Sequence, residues 1–491
     1  MAKTNVRARD YRKDFESTRL AGGYGPYAAR QDAEALLRRA VMACLLWEDL
    51  AYETGEQGAE NIAALVPQVA PEKVAEIAIE ARTAQKLRHV PLYIAREMAR
   101  HDTHKKLVGD LLPAIIQRPD EITEFVAIYW KDGKRPLSKQ VKRGLAQAFD
   151  NFDAYQFAKW NKDTQVKLRD VMFLVHPNPA QGKEELFKQV ADDSLPVPDT
   201  WEVALSGGRD KNETWTRLIE TGKLGALAFL RNLRNMEQAG VTHAVIQTGF
   251  ETVNPRWLLP LNYLGAALAV PAWEREIETL MFRGLGQIPK LPGFTVFVVD
   301  VSGSMNTKLS GKSDFCRLDA ARAMAMMAAE VCEHVAIYAT AGDDRQRKHA
   351  SEQLRPRRGF ALCDEIKEAQ MLLGGGGIFT RQVLEYIRAN ERETPDRIIV
   401  FSDSQDCDLP SSRTPSPFGR RNYIIDVSSH ARGINYDGLW DAEISGWSEH
   451  FLTFIAALEG TGWQQVEPEH GRGRQFTASC RQVDRGCPQE R

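Results

Sequence analysis

A change of pattern between Gly284 and Phe294 constrains the fold of this 491-residue chain more than any other feature. Before this stretch, apolar residues recur at helical spacing. After it, short apolar runs typical of strands alternate with helical segments. The stretch itself holds two prolines and three glycines, which mark a boundary between structural units. We therefore predict a helical domain over residues 1–288 and a second domain over residues 293–460.

The first part of the chain reads as one helix after another. Pro71 stands at a first helical position and Gly240 at a helix end. The apolar residues of the helix before Gly240 recur every three positions: Leu227, Leu230, Leu233 and Met236. Dense helices joined by short Pro/Gly turns favour an all-α arrangement of paired helices, an α-solenoid, although no clean repeat period is visible.

The second part contains four apolar runs of the kind found in buried strands, at residues 295–300, 335–340, 397–404 and 422–430. An irregular stretch separates the second run from a helix at residues 380–391. This alternation predicts an α/β doubly wound parallel sheet, in which ligands bind beyond the carboxyl ends of the strands. The polar residues 461–491, which contain Gly and Arg, are predicted to form a disordered tail.

Composition indicates a protein of the cytoplasm. The formal net charge is -2, so any attraction for nucleic acid has to come from a local patch. Seven cysteines without a CxxC pair favour neither a disulfide framework nor a structural zinc site. The charged N-terminus has no secretory pattern, and no run of 18 uncharged apolar residues predicts a membrane span.

Oxygen-bearing side chains follow the predicted strands. Asp300 ends the first run and is followed by Ser302 and Ser304, whose spacing of two residues lets all three side chains face one point. Asp403 comes directly after the strand-like residues of the third run, and Thr380 follows a glycine-rich loop. Carboxylate and hydroxyl oxygens suit Mg²⁺, with Mn²⁺ as the second choice. We predict that these five residues bind a divalent metal.

This order of motifs resembles the metal-ion-dependent adhesion site of von Willebrand factor A domains. In that family the threonine usually follows the glycines directly, whereas Ile378 and Phe379 intervene here. Three other interpretations are weaker. One is a Ser/Gly turn with an accidental acid. Another is a catalytic serine, for which no base is placed in the sequence. The third is a P-loop, because Ser310–Ser313 ends like one, but Asn306 stands where its first glycine is required.

A basic segment from Lys131 to Arg169 suggests a second site. It contains ten Lys or Arg residues against four Asp residues, with aromatic residues between them. Such a segment can neutralise phosphates and stack on unpaired bases. A charged run on helices is more often only a solvated face, and aromatics at helical spacing are usually core, as we expect for Phe149, Phe152 and Phe157.

Several separated segments resemble the TROVE module of Ro ribonucleoproteins, which precedes a von Willebrand A domain in that family. They are "AGGYGPYAARQDAEALLRRAVMACLLWEDLAY", "KLRHVPLYIAREMARH", "VKRGLAQAFDNFDAYQFAKW", "KLRDVMFLVHPNP" and "LGALAFLRNLRNMEQAGV". The resemblance covers about residues 15–460 and suggests a bacterial or phage Ro-like protein. It implies a ring of HEAT-like helical repeats closed by the A domain.

The resemblance also implies what the chain binds. Single-stranded 3′ ends of misfolded RNAs would enter a basic central hole, and Y-like noncoding RNA would bind the outer surface, with an exoribonuclease as a partner. The residues expected to contact RNA are Lys134, Arg135, Lys139, Lys142, Arg143, Lys162, Lys167, Arg169, His176, Arg231 and Arg234. Arg231 and Arg234 are equally compatible with salt bridges between packed helices.

The segment "RDVMFLVHPNP" of this chain matches the corresponding motif of the Ro family only in part. Arg169, Asp170 and His176 match, but Phe173 replaces a second basic residue and Asn178 replaces a lysine. We therefore expect either a divergent Y RNA or the use of neighbouring cations. The resulting hypothesis is a monomeric, non-enzymatic RNA-binding scaffold. An adhesion-type protein-binding module and a metal-dependent hydrolase using Asp300 and Asp403 remain as alternatives.

Overall fold

Helices account for the regular structure up to Leu285. The computed structural model describes residues 33–43, 55–83, 85–161, 163–286, 288, 290–310, 313–373, 375–408, 416–428, 440–446, 451–452, 455–456 and 459. The α-helices of the first part are Ala33–Ala43, Gly55–Leu65, Pro71–Thr83, His89–Arg100, Val108–Ile115, Pro119–Tyr129, Lys139–Phe149, Ala154–Trp160, Leu168–Val175, Glu184–Ala191, Trp201–Ser206, Lys211–Glu220, Ala226–Gln238, His243–Thr252, Pro260–Ala269 and Glu274–Leu285.

Local signals explain where these helices begin and end. Pro71 is the first residue of its helix, as predicted. The Ser138 hydroxyl accepts a hydrogen bond from the Val141 N–H at 3.3 Å and caps the helix Lys139–Phe149. Gly240, with a φ of 73°, lies just beyond the helix Ala226–Gln238, in a left-handed conformation that glycine adopts without strain.

The apolar faces of the helices form two separate cores. One gathers buried residues from Leu37 to Val190. The other begins at Trp215, includes the remaining helices of the first part, and continues without a break into the α/β part as far as Ala456. The helices at residues 211–285 therefore share their core with the sheet.

The sheet has six strands: β1 Leu291–Asp300, β2 Cys332–Asp343, β3 Lys348–Gln353, β4 Arg397–Ser402, β5 Arg421–Asp426 and β6 Ala442–Ser445. Their order is β3-β2-β1-β4-β5-β6, and all neighbours are parallel except β2 and β3. The helices Arg317–Val331, Gly359–Leu373 and Thr380–Asn390 connect them.

The strands alternate their side chains between two helical layers. Val296 and Val298 of β1 pack in one cluster with Val383 and Ile387 of the helix Thr380–Asn390. Phe297 and Val299 belong instead to the cluster that includes the helices Arg317–Val331 and Gly359–Leu373. Helices thus cover both faces, and the predicted fold class is confirmed.

The interpretation of residues 341–379 as irregular is wrong. The segment contains β3, which pairs antiparallel with β2 at the sheet edge, and the helix Gly359–Leu373. The four predicted strand-like runs contain β1, β2, β4 and β5. The predicted tail at residues 461–491 lies outside the described residues.

The helical part meets the α/β part at both of its ends. The helix Ala33–Ala43 lies against β6, and the helices Pro260–Ala269 and Glu274–Leu285 lie against Arg317–Val331. The Lys86 ammonium also donates a hydrogen bond to the Leu258 carbonyl at 3.4 Å, across the helical part. The chain therefore closes on itself. In the described ranges no helix is long and apolar enough to span a membrane.

Candidate metal centre and nucleic-acid interface

The two acids singled out from the sequence lie at adjacent strand ends. Asp300 is the last residue of β1, and Asp403 directly follows β4. The two strands are parallel, with Val299 opposite Phe401, so their carboxyl ends meet at one edge of the sheet. Asp300 and Asp403 are both fully buried.

Asp300 is held by two hydroxyl-bearing residues. Its Oδ1 accepts a hydrogen bond from the Ser302 N–H at 2.9 Å, and its Oδ2 accepts one from the Ser402 hydroxyl at 2.6 Å. Burial, and then the charge of Asp403, nevertheless raise the pKa of Asp300 to about 7. A positive group beside these carboxylates would stabilise their charged forms.

The serines lie on a turn that packs against the glycine-rich loop. Ser302 Oγ is 3.1 Å from Ser304 Oγ. A side chain at Gly303 would place its Cβ 2.4 Å from the Gly375 carbonyl oxygen, so only glycine allows this approach. The Gly303 N–H donates to the Gly376 carbonyl at 3.4 Å. The two loops that carry predicted ligands are therefore in direct contact.

Thr380 is the first residue of the helix Thr380–Asn390 and is fully buried. Its N–H donates to Asp406 Oδ1 at 3.1 Å, but its buried hydroxyl has no hydrogen-bond partner in the described part of the chain. A buried polar atom without a partner is costly and often indicates an ion or water. The intervening Ile378 and Phe379 are buried in the core.

Arg317 is the residue that sequence reasoning missed at this site. Its Nη1 donates to Asp403 Oδ2 at 2.5 Å, and both side chains are buried. Arg317 is the first residue of the helix Arg317–Val331, where the helix dipole disfavours a positive charge. A cation at the first position of a helix is the signal that was available.

Two further acids lie beside Thr380 and were also missed. Burial raises the pKa of Asp406 to about 6. Asp408 Oδ2 accepts hydrogen bonds from the backbone N–H groups of Arg381 at 2.7 Å and Gln382 at 3.2 Å. Asp406 and Asp408 thus satisfy the first N–H groups of the helix Thr380–Asn390.

These side chains fit a hard divalent cation. The five predicted ligands offer carboxylate and hydroxyl oxygens, including the Thr380 hydroxyl, which has no hydrogen-bond partner among the described residues. No group of three or more His, Cys, Asp or Glu side chains in the described ranges could hold a metal ion, so the candidate site depends on two carboxylates and on hydroxyl groups.

The predicted basic segment presents a row of unpaired cations. Lys134, Arg135, Lys139 and Lys142 are exposed and form no ion pair with the described residues. The Lys134 ammonium lies 5.5 Å from the centre of the Trp130 ring. Arg143 and Lys167 form surface ion pairs with Asp110 and Asp163, each at 2.8 Å, and such pairs are weak. Lys162 lies outside the described residues.

None of the four acids of this segment pairs with Lys134, Arg135, Lys139 or Lys142 in the part of the chain that the structure describes. Asp132 forms ion pairs with Arg96 and Arg100, which lie on another helix. Asp150 accepts a hydrogen bond from the Ala180 N–H at 3.0 Å. The other two are Asp153, which caps the helix Ala154–Trp160, and Asp163, which pairs with Lys167. The exposed cations between Lys134 and Lys142 therefore keep their positive charge uncompensated.

The aromatic residues divide between core and surface. Phe149, Phe152 and Phe157 are buried, as predicted. Tyr155 is 43% exposed, and the Arg118 guanidinium lies 3.5 Å from the centre of the Trp160 ring. Only the surface aromatics can contact a base.

Comparison with known proteins gives one partial family match and one similar solved structure. Residues 192–254 match the family model of the TROVE domain, which is less than half of the chain. The crystal structure of the Deinococcus radiodurans Ro (RSR) protein superposes with a TM-score of 0.57 at 16% sequence identity, covering 87% of this chain and 100% of that one. This chain is Ro-like in its fold. The predicted resemblance to Ro proteins is thus confirmed for the fold. The residues that match the TROVE model include Arg231 and Arg234.

The Ro-like segment 169–179 lies at a helix end. His176 follows the helix Leu168–Val175 with a φ of 48°, is exposed, and donates its N–H to the Met172 carbonyl at 2.9 Å. Phe173, which replaces a basic residue of the Ro pattern, is 55% exposed. Arg169 lies one turn before it and is half-buried, while Asn178 is exposed.

The arginines of the TROVE match project from one helix. Arg231 and Arg234 are both exposed on the helix Ala226–Gln238, whose opposite face buries Phe229 and Leu233. Neither arginine forms an ion pair with another residue in the described ranges. The expected alternative, in which they form salt bridges between packed helices, is therefore not observed.

Proposed function

We propose that this Ro-like chain is a non-enzymatic scaffold that binds RNA. The observation that carries the proposal is a group of four exposed cations, Lys134, Arg135, Lys139 and Lys142, which form no ion pair with any residue that the structure describes. Such a surface attracts the phosphates of RNA without reading its sequence. The Ro-like fold and the TROVE match support the same assignment.

We further propose two kinds of RNA ligand. A Y-like noncoding RNA would bind the surface around Arg169 and His176, and single-stranded 3′ ends of misfolded RNAs would bind at Arg231 and Arg234. Both arginines are exposed and unpaired among the described residues, as phosphate contacts require. An exoribonuclease partner would then degrade the captured RNA. We expect the scaffold to act as a monomer in the cytoplasm.

The affinity for RNA at several salt concentrations tests this proposal. Fluorescence anisotropy with a labelled single-stranded RNA should show the binding constant falling steeply with salt, because each phosphate contact releases counterions. The contacts expected from four cations correspond to a slope of about −3 in log K against log salt. An affinity that does not change with salt would contradict RNA binding through this surface.

For the site at the sheet edge we propose Mg²⁺, with Mn²⁺ as a substitute. Asp300, Ser302, Ser304, Thr380 and Asp403 would hold it, directly or through water. Two buried carboxylates and the unpartnered Thr380 hydroxyl support the assignment. When bound, the ion would supply positive charge that holds the three loops together and can accept a carboxylate from a protein partner.

Two measurements separate the scaffold from its alternatives. A metal-dependent hydrolase would turn over labelled single-stranded RNA in the presence of Mg²⁺, whereas we expect the RNA to remain intact over hours. A protein-binding module would keep its partner when the cations of the basic segment are replaced, whereas the RNA scaffold would lose its ligand.

A further inference from the structure

The guanidinium of Arg317 lies where the predicted metal site needs a positive charge. Its Nη1 is 2.5 Å from Asp403 Oδ2, and the side chains are 3% and 0% exposed. The other Asp403 oxygen, Oδ1, accepts a hydrogen bond from the Gln405 N–H at 3.3 Å. The carboxylate that should face the ion therefore already has a cation at one oxygen and a donor at the other.

Arg317 is held in place by the turn that carries the serines. The Thr307 N–H donates to the Ser304 carbonyl at 3.0 Å, and the Arg317 N–H donates to the Thr307 carbonyl at 3.0 Å. Two consecutive backbone hydrogen bonds thus connect a predicted ligand, Ser304, to the start of the helix Arg317–Val331. The guanidinium approaches Asp403 from an element that is part of the site.

Simple electrostatics makes Arg317 and a divalent ion compete. Asp300 and Asp403 together carry up to two negative charges, and Arg317 neutralises one of them. An ion bound to Asp403 would stand next to a buried guanidinium, where repulsion is weakly screened. The ion would also have to displace Nη1 from Oδ2, unless it used an oxygen that already accepts a hydrogen bond.

We propose that Arg317 and the divalent cation are alternative occupants of this site. Arg317 stabilises Asp403 when no metal is bound and moves away from Oδ2 when metal binds, so it lowers the affinity of the site for metal. This inference rests on the proposed metal site but concerns a residue outside the ligand set. Arg317 would therefore determine the cation concentration at which the site fills.

Binding of Mn²⁺ to the full chain tests the proposal, measured by electron paramagnetic resonance and calorimetry. Arg317→Met should bind Mn²⁺ roughly 5- to 150-fold more tightly than the wild type, the usual range for coupling between two ligands. The matched control is Arg322→Met, because Arg322 lies on the same helix, is buried, and pairs with Asp319 at 2.8 Å rather than with Asp403. It should leave the Mn²⁺ affinity unchanged.

Asp403→Asn separates this proposal from the metal site on which it rests. One outcome would overturn only the role of Arg317. In that outcome Asp403→Asn loses Mn²⁺ binding, which supports the metal site, while Arg317→Met and the wild type bind Mn²⁺ with equal affinity. Failure of every form to bind Mn²⁺ would overturn both. Thermal unfolding supplies a second readout, since Mn²⁺ should raise the midpoint of Arg317→Met more than that of the wild type.

A crystal structure of the wild-type chain with saturating MnCl₂ covers the case in which Arg317→Met does not fold. We expect the Arg317 guanidinium to have left Asp403 Oδ2 in that structure. An ion bound between Asp300 and Asp403 with the 2.5 Å contact to Arg317 intact would refute the exchange.

Discussion

Ser402 donates a 2.6 Å hydrogen bond to Asp300 across the ends of two neighbouring strands. Both residues are fully buried, so the hydrogen bond from the Ser402 hydroxyl stabilises a carboxylate that water does not reach. The same hydroxyl accepts the Ser404 N–H at 3.0 Å and so connects Asp300 to the loop after β4. Ser402 therefore fixes the orientation of the first predicted ligand although it is not one itself.

Replacement of Ser402 by Ala should destabilise the fold. Hydrogen bonds to charged groups contribute about 1.5–3 kcal/mol, so we expect the free energy of unfolding to fall by about that amount at pH 8. Urea unfolding measures it. Ser351→Ala is the control for loss of a hydroxyl that does not contact a carboxylate. Ser351 is half-buried, and its Oγ lies 2.8 Å from the Thr340 hydroxyl and 2.9 Å from His349 Nδ1, so its replacement should cost about 1 kcal/mol. Equal losses in both variants would contradict the special role of Ser402.

Asp406→Asn should be more stable than the wild type at high pH and equally stable at low pH. Burial raises the pKa of Asp406 from 3.8 to about 6, so the folded state favours the protonated form. The stability that this group contributes is present below pH 3.8 and is lost as pH rises through about 6. At about 1.4 kcal/mol per pKa unit, the variant should gain up to roughly 3 kcal/mol at pH 8.

Asp408→Asn is the control for this pH dependence. Asp408 accepts two backbone N–H groups and a hydrogen bond from the Gln382 amide at 3.0 Å, and it lies 3.5 Å from the Arg381 guanidinium. We expect no gain at pH 8 from its replacement. Chemical unfolding between pH 4 and pH 8 measures both variants, and parallel curves for Asp406→Asn and the wild type would show that Asp406 does not cause the dependence.

Replacement of the unpaired cations by Ala should weaken RNA binding and reduce its salt dependence. The variant carries Ala at Lys134, Arg135, Lys139 and Lys142. The slope of log K against log salt should fall in magnitude by about 0.7 for each lost contact. The control replaces four cations that form ion pairs, the half-buried Arg217 and three exposed lysines, and should retain the wild-type slope: Lys73, Lys105, Arg217 and Lys223. Equal slopes in the two variants would place the RNA elsewhere.

Phe173→Ala should reduce RNA affinity without changing its salt dependence. Phe173 is 55% exposed next to Arg169 and His176, and an exposed ring there can stack on an unpaired base. Stacking contributes about 1–3 kcal/mol per base and involves no counterion. Phe173→Lys, which restores the charge expected in the Ro pattern, should instead steepen the slope. Leu174→Ala is the control, since Leu174 is 36% exposed but has no ring.

The sequence predicts those features of the site that follow from a single strand. Asp300 and Asp403 each end a buried apolar run, and parallel strands bring such ends together, so their adjacency follows from local pattern. Arg317 pairs with Asp403 over 86 positions, and no local periodicity encodes that contact. Only its unfavourable place at a helix start gives a hint.

The missed elements have different causes. β3 has half-buried, polar side chains at an edge of the sheet, so it lacks the apolar run that identified the other strands. The helix Gly359–Leu373 was predictable, because Phe360, Cys363 and Ile366 recur every three residues and are buried. Its polar neighbours concealed the pattern. In the basic segment, exposure of the cations could be predicted, but the distant partners of Asp132 could not.

The division of the apolar core into two clusters has a consequence for how the chain unfolds. The fold class changes near residue 290, yet the apolar cluster that begins at Trp215 runs through this point into the sheet. The other cluster ends at Val190. Cooperative unfolding units follow shared cores, so the helices at residues 211–285 should open together with the sheet, and the helices before Ala191 as a separate unit. A fragment beginning at Leu291 would expose the apolar surface that these later helices cover, whereas a cut between residues 191 and 200 would pass between the two clusters.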